Sequence, residues 1–168
     1  MNNLRALLII FFLLISLGCA STDKGRSDVV YDYDINTDFS SLKSYEWQAT
    51  TGGINTNKLV IVRVKKAVEE KLQAKGLELS AHNPDFYIVM YGGTRMQYTT
   101  KWRGWDADLW FGEGRIKLAF FDARSNEVLW WAETRADVHH NMPPEEKTSL
   151  VADAVTRILE KFPPQSEE

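Results

Sequence analysis

The hydrophobic positions of this chain fall into segments of distinct period, and each change of period marks a new element. Residues 6–17 form an uncharged run of 12, apolar except for Ser16, behind the single cation Arg5. That run is too short for a membrane span, which takes roughly 17 to 25 apolar residues. A positive lead, an apolar middle and the small residues Ser16 and Gly18 at its end have the build of a secretory signal over residues 1–18. Residues 20–28 are small and polar and read as a flexible tether.

From Val29 the pattern becomes that of a folded domain. VVYDYD alternates in part and predicts a strand at 29–34, then a turn or short helical segment at 38–42 and a second strand at 44–47. Residues 50–55 carry Gly52-Gly53 and read as a loop. Val60, Val64, Ala67, Val68 and Leu72 recur at spacings of three and four, one stripe of a helix capped by Asn57 and running to about Lys75. Gly76 stands where a left-handed cap residue belongs. Leu77–Leu79 begins a return strand, and Phe86–Tyr91 is apolar on both faces, as a strand covered on both sides requires. Residues 114–138 predict a hairpin turning at 123–126. Its first arm sets Ile116, Leu118 and Phe120 on one face. Its second sets Val128, Trp130, Ala132 and Thr134 on one face and Leu129, Trp131, Glu133 and Arg135 on the other. Pro143-Pro144 introduces a helix over 145–162, striped by Leu150, Val151, Ala154, Val155, Ile158, Leu159 and Phe162. Pro163-Pro164 stops it, and residues 165–168 are a frayed tail.

The order β-β-α-β-β-β-α gives two amphipathic helices that need one sheet face to bury their stripes. The expected fold is therefore α+β: a two-layer sandwich, with a mainly antiparallel sheet of four to five strands and both helices on one face. Residues 29–164 form the single domain of this reading.

Composition changes the picture at one position. The chain has one cysteine, Cys19, directly after Gly18 at the end of the signal. Ser16-Leu17-Gly18-Cys19 resembles the lipobox of bacterial lipoproteins, with Ser16 where Leu is usual. The resemblance implies cleavage before Cys19, a diacylglycerol on its thiol and an acyl chain such as palmitate on its amine. Several acyl chains hold a membrane far more firmly than one. Residue 20 is Ala rather than the Asp that retains such proteins at the inner membrane, which implies the outer membrane, facing the periplasm. With Cys19 lipidated, the fold has no disulfide and rests on its own core, for which the remaining 150 residues are ample. The net charge of −3 comes with no basic stripe, which excludes a nucleic-acid partner. The membrane partner is reached through the lipid.

A run of stretches in order carries a wider resemblance: VVYDYDINTDFSSLKSYEW, NKLVIVRVKKAVEEKLQAKGL, NPDFYIVMYG, EGRIKLAFFDARSNEVLWWAETRADV and a closing amphipathic helix ending in FPP. Together they resemble the bacterial lipoprotein family catalogued as domain of unknown function 4136, over nearly the whole mature chain. The resemblance implies location and fold. It implies no activity and supplies no functional residues.

Candidate chemistry is sparse. Asp32, Asp34, Asn36 and Asp38 match the opening of a calcium loop, but Thr37 stands where Gly is needed and Lys43 where a bidentate Glu is needed. His139-His140, with His82 and Asp137, would make a zinc set of unfamiliar spacing. No nucleophile elbow or phosphate loop is present, and Gly92-Gly93 is followed by no helix. No catalytic residue, metal or cofactor is assigned. The most unusual stretch is Tyr98–Gly112, with five aromatic residues in 15. Trp102, Trp105 and Trp110 could fold over the second face of the sheet, against Tyr87, Val89, Tyr91, Phe121 and Trp131. With Arg103 they could instead form a surface for an envelope protein partner or an apolar ligand. They could also enter the membrane interface beside the anchor. The reading that results is a non-enzymatic binding or structural accessory protein. Its alternative is an envelope hydrolase whose His, Asp and Glu side chains meet only in the fold.

Overall fold

The chain runs β1 (Val30–Tyr33), β2 (Ser44–Trp47), α1 (Lys58–Ala74), β3 (Glu78–Leu79), β4 (Phe86–Gln97), β5 (Phe111–Asp122), β6 (Val128–His139) and α2 (Pro144–Leu159). A short 3-10 turn, Phe39–Ser41, lies between the first two strands. The computed structural model describes residues 29–48, 57–97, 111–139 and 141–164. The signal, Cys19, the tether, the 50–55 loop, Tyr98–Trp110, His140 and the tail lie outside the described residues.

Both helices form where the apolar period predicts them. The Asn57 side chain accepts the Leu59 N–H at 2.9 Å and so caps α1. At the other end Gly76 takes φ +80°. The Gly76 N–H donates to Gln73 O and the Leu77 N–H to Leu72 O, each at 3.0 Å, which closes a Schellman cap. In α2, Pro144 occupies the first turn without loss, because that N–H has no intrahelical partner, and Glu145 and Glu146 sit at the positive end. This helix ends at Leu159, three residues earlier than its apolar stripe suggests.

Among the described residues the sheet has six strands, in the order β1-β6-β5-β4-β2-β3. The α+β class holds, but the expected count of four to five strands is corrected to six. The pairs β1–β6, β6–β5 and β5–β4 are antiparallel. The pairs β2–β4 and β2–β3 are parallel, because α1 supplies the crossover that returns the chain in the same direction. The sixth strand, β3, is two residues long, too short for any periodic signal.

One face of the sheet carries Phe86, Ile88, Met90, Leu118, Phe120, Trp130 and Ala132, all buried in one core with Val64, Val68 and Leu72 of α1 and Val155, Ile158 and Leu159 of α2. Phe162, just past α2, closes this core. Its ring lies 4.8 Å from Phe120, 5.3 Å from Trp130, 5.9 Å from Phe39 and 6.2 Å from Phe86, centroid to centroid. The Trp130 Nε1–H donates to Lys161 O at 3.1 Å, so the indole is buried with its polar atom paired.

A register shift between Phe120 and Phe121 alters the expected alternation of β6. Phe120 pairs with Trp130 and Phe121 with Val128, leaving Leu129 as the extra residue of a bulge. Val128 is therefore carried away from the Trp130 face and is exposed, while Leu129 is buried in the core. Beyond that point the two predicted faces of β6 stand.

β4, β5 and β6 are each 12 residues long, about 40 Å of strand. They define two poles. At the strand-end pole, Gln97 pairs with Phe111 and Phe111 with His139. At the turn pole lie Asp85, the Asp122–Glu127 turn and the segment after β1.

Candidate functional site

The residues of β4, β5 and β6 that point away from the helices make a second apolar surface. Val89 and Ala119 are opposite one another and buried, and Ala119 is in turn opposite Trp131. One row nearer the turn pole stand Tyr87 and Phe121, and one row nearer the strand ends stands Tyr91. Tyr87, Phe121 and Trp131 are half-buried, and Tyr91 is exposed. This is the doubly apolar strand that the sequence of β4 requires, with aromatic side chains from three strands on one face.

Charge begins where the aromatic strip ends. Lys117 Nζ lies 4.1 Å from the centroid of the Trp131 ring, a cation–π contact of about 0.5–1 kcal/mol at a partly exposed site. Further toward the strand-end pole, Arg115 Nε meets Glu133 Oε1 at 3.3 Å. Arg135 Nε bridges Glu133 Oε1 at 3.6 Å and Glu113 Oε1 at 3.3 Å. Such exposed pairs add little stability. Their effect is to edge an aromatic strip with ordered charges of both signs.

The other sequence candidates are dispersed. Asp34 accepts from the Asn36 N–H at 3.0 Å, from Asn36 Nδ2 at 3.0 Å and from Thr37 Oγ1 at 3.2 Å. The Asn36 backbone bond leads the effects that hold its carboxyl below the usual range. Asp38 caps the 3-10 turn, accepting from Ser40 N–H and Ser40 Oγ, and its pKa is lowered by the Ser40 side-chain bond first. These carboxylates serve a turn, and only Asp32 of the four candidate ligands lies on β1. Asp85 and Asp122 likewise lie below the usual carboxylate range, chiefly through backbone N–H donors from Lys43 and Ser125 respectively. His82 sits in the loop before β4 and His139 at the far end of β6, some 35 Å apart along the sheet, so the structure does not bring them together. Among the described residues, no three His, Cys, Asp or Glu side chains gather as metal ligands would. Trp102, Arg103, Trp105 and Trp110 lie outside the described residues, joined to β4 and β5 at the strand-end pole. Tyr45 is buried on the helix side beside Glu69, and burial first, then that charge, pushes its phenol up to about 12.

The charge ladder was not singled out from the sequence, although a signal for it exists. Glu113, Arg115 and Lys117, like Glu133, Arg135 and Asp137, recur at every second residue, the period of one strand face.

The family model for the domain of unknown function DUF4136 matches residues 29–164. The chain belongs to the DUF4136 family. No curated protein matches it. Among solved structures, this DUF4136 chain is similar to a PDZ domain protein from Parabacteroides distasonis, with 12% identity and a TM-score of 0.58. The similarity covers 88% of the DUF4136 chain but 39% of the longer protein. The PelC dodecamer from Paraburkholderia phytofirmans is similar at 12% identity and a TM-score of 0.51, over 79% of this chain and 94% of PelC. A minor lipoprotein from Acinetobacter baumannii is similar at 12% identity and a TM-score of 0.43, over 72% and 92% of the two chains. At these identities the first two likenesses show a shared fold. No helix among the described DUF4136 residues is long and apolar enough to cross a membrane.

Proposed function

We propose that this DUF4136 protein is a lipid-anchored cell-envelope protein of the outer membrane, facing the periplasm, whose domain docks a protein partner and carries out no catalysis. Cys19 after the apolar run 6–17 supports the anchor, and Ala20 supports the outer membrane. The observation that carries the docking role is the second face of the sheet. Tyr87, Tyr91, Phe121 and Trp131 present aromatic surface bordered by the Glu113–Arg135–Glu133–Arg115 ladder. An apolar centre with a polar rim is how protein interfaces are built. The ordered charges favour a protein over an apolar ligand, which has nothing to pair with them. The hydrolase alternative keeps one described group of candidates, His139 with Asp137 two residues before it and Glu113 opposite Asp137, while His82 lies at the other pole and the aspartates with lowered pKa serve turns and strand starts.

A photoreactive residue at position 91, on the exposed margin of this face, tests the proposal in cells, with position 66 on the exposed side of α1 as control. The expected result is one defined protein adduct from position 91, absent from position 66 and lost when Phe121→Lys is added to a chain that still folds by circular dichroism. The same adducts from both positions, or none, would remove the docking role. Capture of lipid alone would identify the occupant as an apolar ligand.

A further inference from the structure

The docking face carries one cation inside its apolar strip, and that charge specifies what can cover it. Lys117 stands opposite Glu133 on β6 and opposite Tyr91 on β4. Glu133 is already engaged, by Arg115 Nε at 3.3 Å and Arg135 Nε at 3.6 Å. The half-buried Lys117 side chain leans the other way, one row toward the turn pole. Its ammonium lies 4.1 Å from the centroid of the Trp131 ring. Among the described residues no carboxylate forms an ion pair with it. Asp32 is next to Trp131 on β1, but its Oδ1 accepts the Tyr33 N–H at 2.9 Å. Glu46 is next to Tyr87 on β2. Asp32 is exposed on the edge strand, and β3 stops pairing with β2 before Glu46, so both acids stand at the rim.

A surface seated on Tyr91 and Trp131 strips water from the ammonium between them. The ring face offsets only part of the lost hydration. A charge buried without a counter-ion is strongly unfavourable, and a charge-assisted hydrogen bond to a carboxylate compensates it. We propose, on the docking reading above, that the partner is a protein whose aspartate or glutamate carboxylate pairs with Lys117 over the Trp131 ring. The Arg115–Glu133–Arg135–Glu113 ladder needs no such group, because its two cations and two carboxylates neutralise one another. Lys117 therefore sets the specificity of this face. A surface that is apolar at this point, or that carries a cation there, is rejected.

Two crosslinking chemistries separate this inference from the docking reading it rests on. Membranes from cells making the full-length chain are treated with a water-soluble carbodiimide, which joins a carboxyl group to an adjacent amine as an amide. The photoreactive residue at position 91 is used in parallel, because it reports docking whatever the chemistry at Lys117. Mass spectrometry is expected to find Lys117 joined to an Asp or Glu of the same protein that position 91 captures. Lys117→Arg keeps the charge in a guanidinium that carbodiimide does not couple, so it should lose the amide link and retain the position-91 adduct. Lys117→Gln leaves the partner's carboxylate unpaired and is expected to lower the position-91 adduct by about tenfold or more. Circular dichroism checks that both variants fold. A position-91 adduct that persists undiminished in Lys117→Gln, with no amide link from Lys117 in the wild type, would overturn the carboxylate and leave docking intact. No defined adduct from position 91 would remove docking and this inference with it. An adduct between two copies of the chain would overturn the separate partner.

Discussion

A single carboxylate oxygen organises the start of two strands. Asp85 Oδ2 accepts from the Lys43 N–H at 2.8 Å, the Ser44 N–H at 2.8 Å and the Ser44 Oγ–H at 3.0 Å. The Asp85 N–H donates back to Ser44 O at 3.0 Å, and Asp85 O accepts the Ala123 N–H at 3.1 Å. One residue thus ties β2, β4 and the β5–β6 turn. Asp85→Ala leaves two backbone donors without their carboxylate and is expected to cost about 1–3 kcal/mol in urea unfolding at pH 7. The sign of the pH dependence follows from the lowered pKa of this group. A carboxylate with a folded pKa below its unfolded value of about 3.9 stabilises fully above that value and loses the contribution as pH falls through the folded pKa. The difference between wild type and Asp85→Ala should therefore be constant from about pH 5 to 8 and shrink below about pH 4. A difference that persists unchanged in acid would mean that the ionised form is not what matters. None of this was legible in the sequence, where Pro84-Asp85 reads only as a lead into a strand. Its partner Ser44 is 41 residues away, and spacing patterns report only on near neighbours.

At the scale of elements, the helices were legible because a stripe of period 3.6 needs no knowledge of what it packs against. The cap of α1 was legible too: Gly76, expected as its left-handed cap residue, takes φ +80°, a conformation in which a side chain is strained. Gly76→Ala is expected to lower the unfolding midpoint by about 1 kcal/mol equivalent, with the m-value unchanged. A neutral result would mean the Schellman cap contributes nothing. The strands were harder. Gly92-Gly93 looks like the end of β4, yet the strand continues to Gln97. A side chain at 92 would sit 3.2 Å from Arg115 O, and one at 114 would sit 2.8 Å from Val138 Cγ2. These glycines permit close packing across the extended sheet rather than a turn. Phe111 and Gly112, read with the aromatic stretch, are the first residues of β5. The bulge at Leu129 was also hidden, because a register shift is a property of two strands and not of one.

At the scale of the molecule, anchor and domain are separable in the proposed architecture. Cys19→Ala should move the protein from the membrane pellet to the soluble fraction and abolish the added acyl mass, while its circular dichroism and unfolding midpoint stay those of the wild-type domain. Retention on membranes at unchanged mass would sink the lipid anchor. The sheet order that sets the domain's poles was only partly legible: the antiparallel run β4–β5–β6 follows from the hairpin, whereas the places of β1 and β2 at the two flanks do not. β1 has its partner in β6, with Val30 opposite Glu133, so the strand next to the tether is stitched to one about 100 residues later. Loop closure over that distance is slow relative to local hairpin and helix formation. A chain delivered N-terminus first must hold β1 unpaired until β6 has followed it, so the first strand of the domain waits for the last before it can join the sheet.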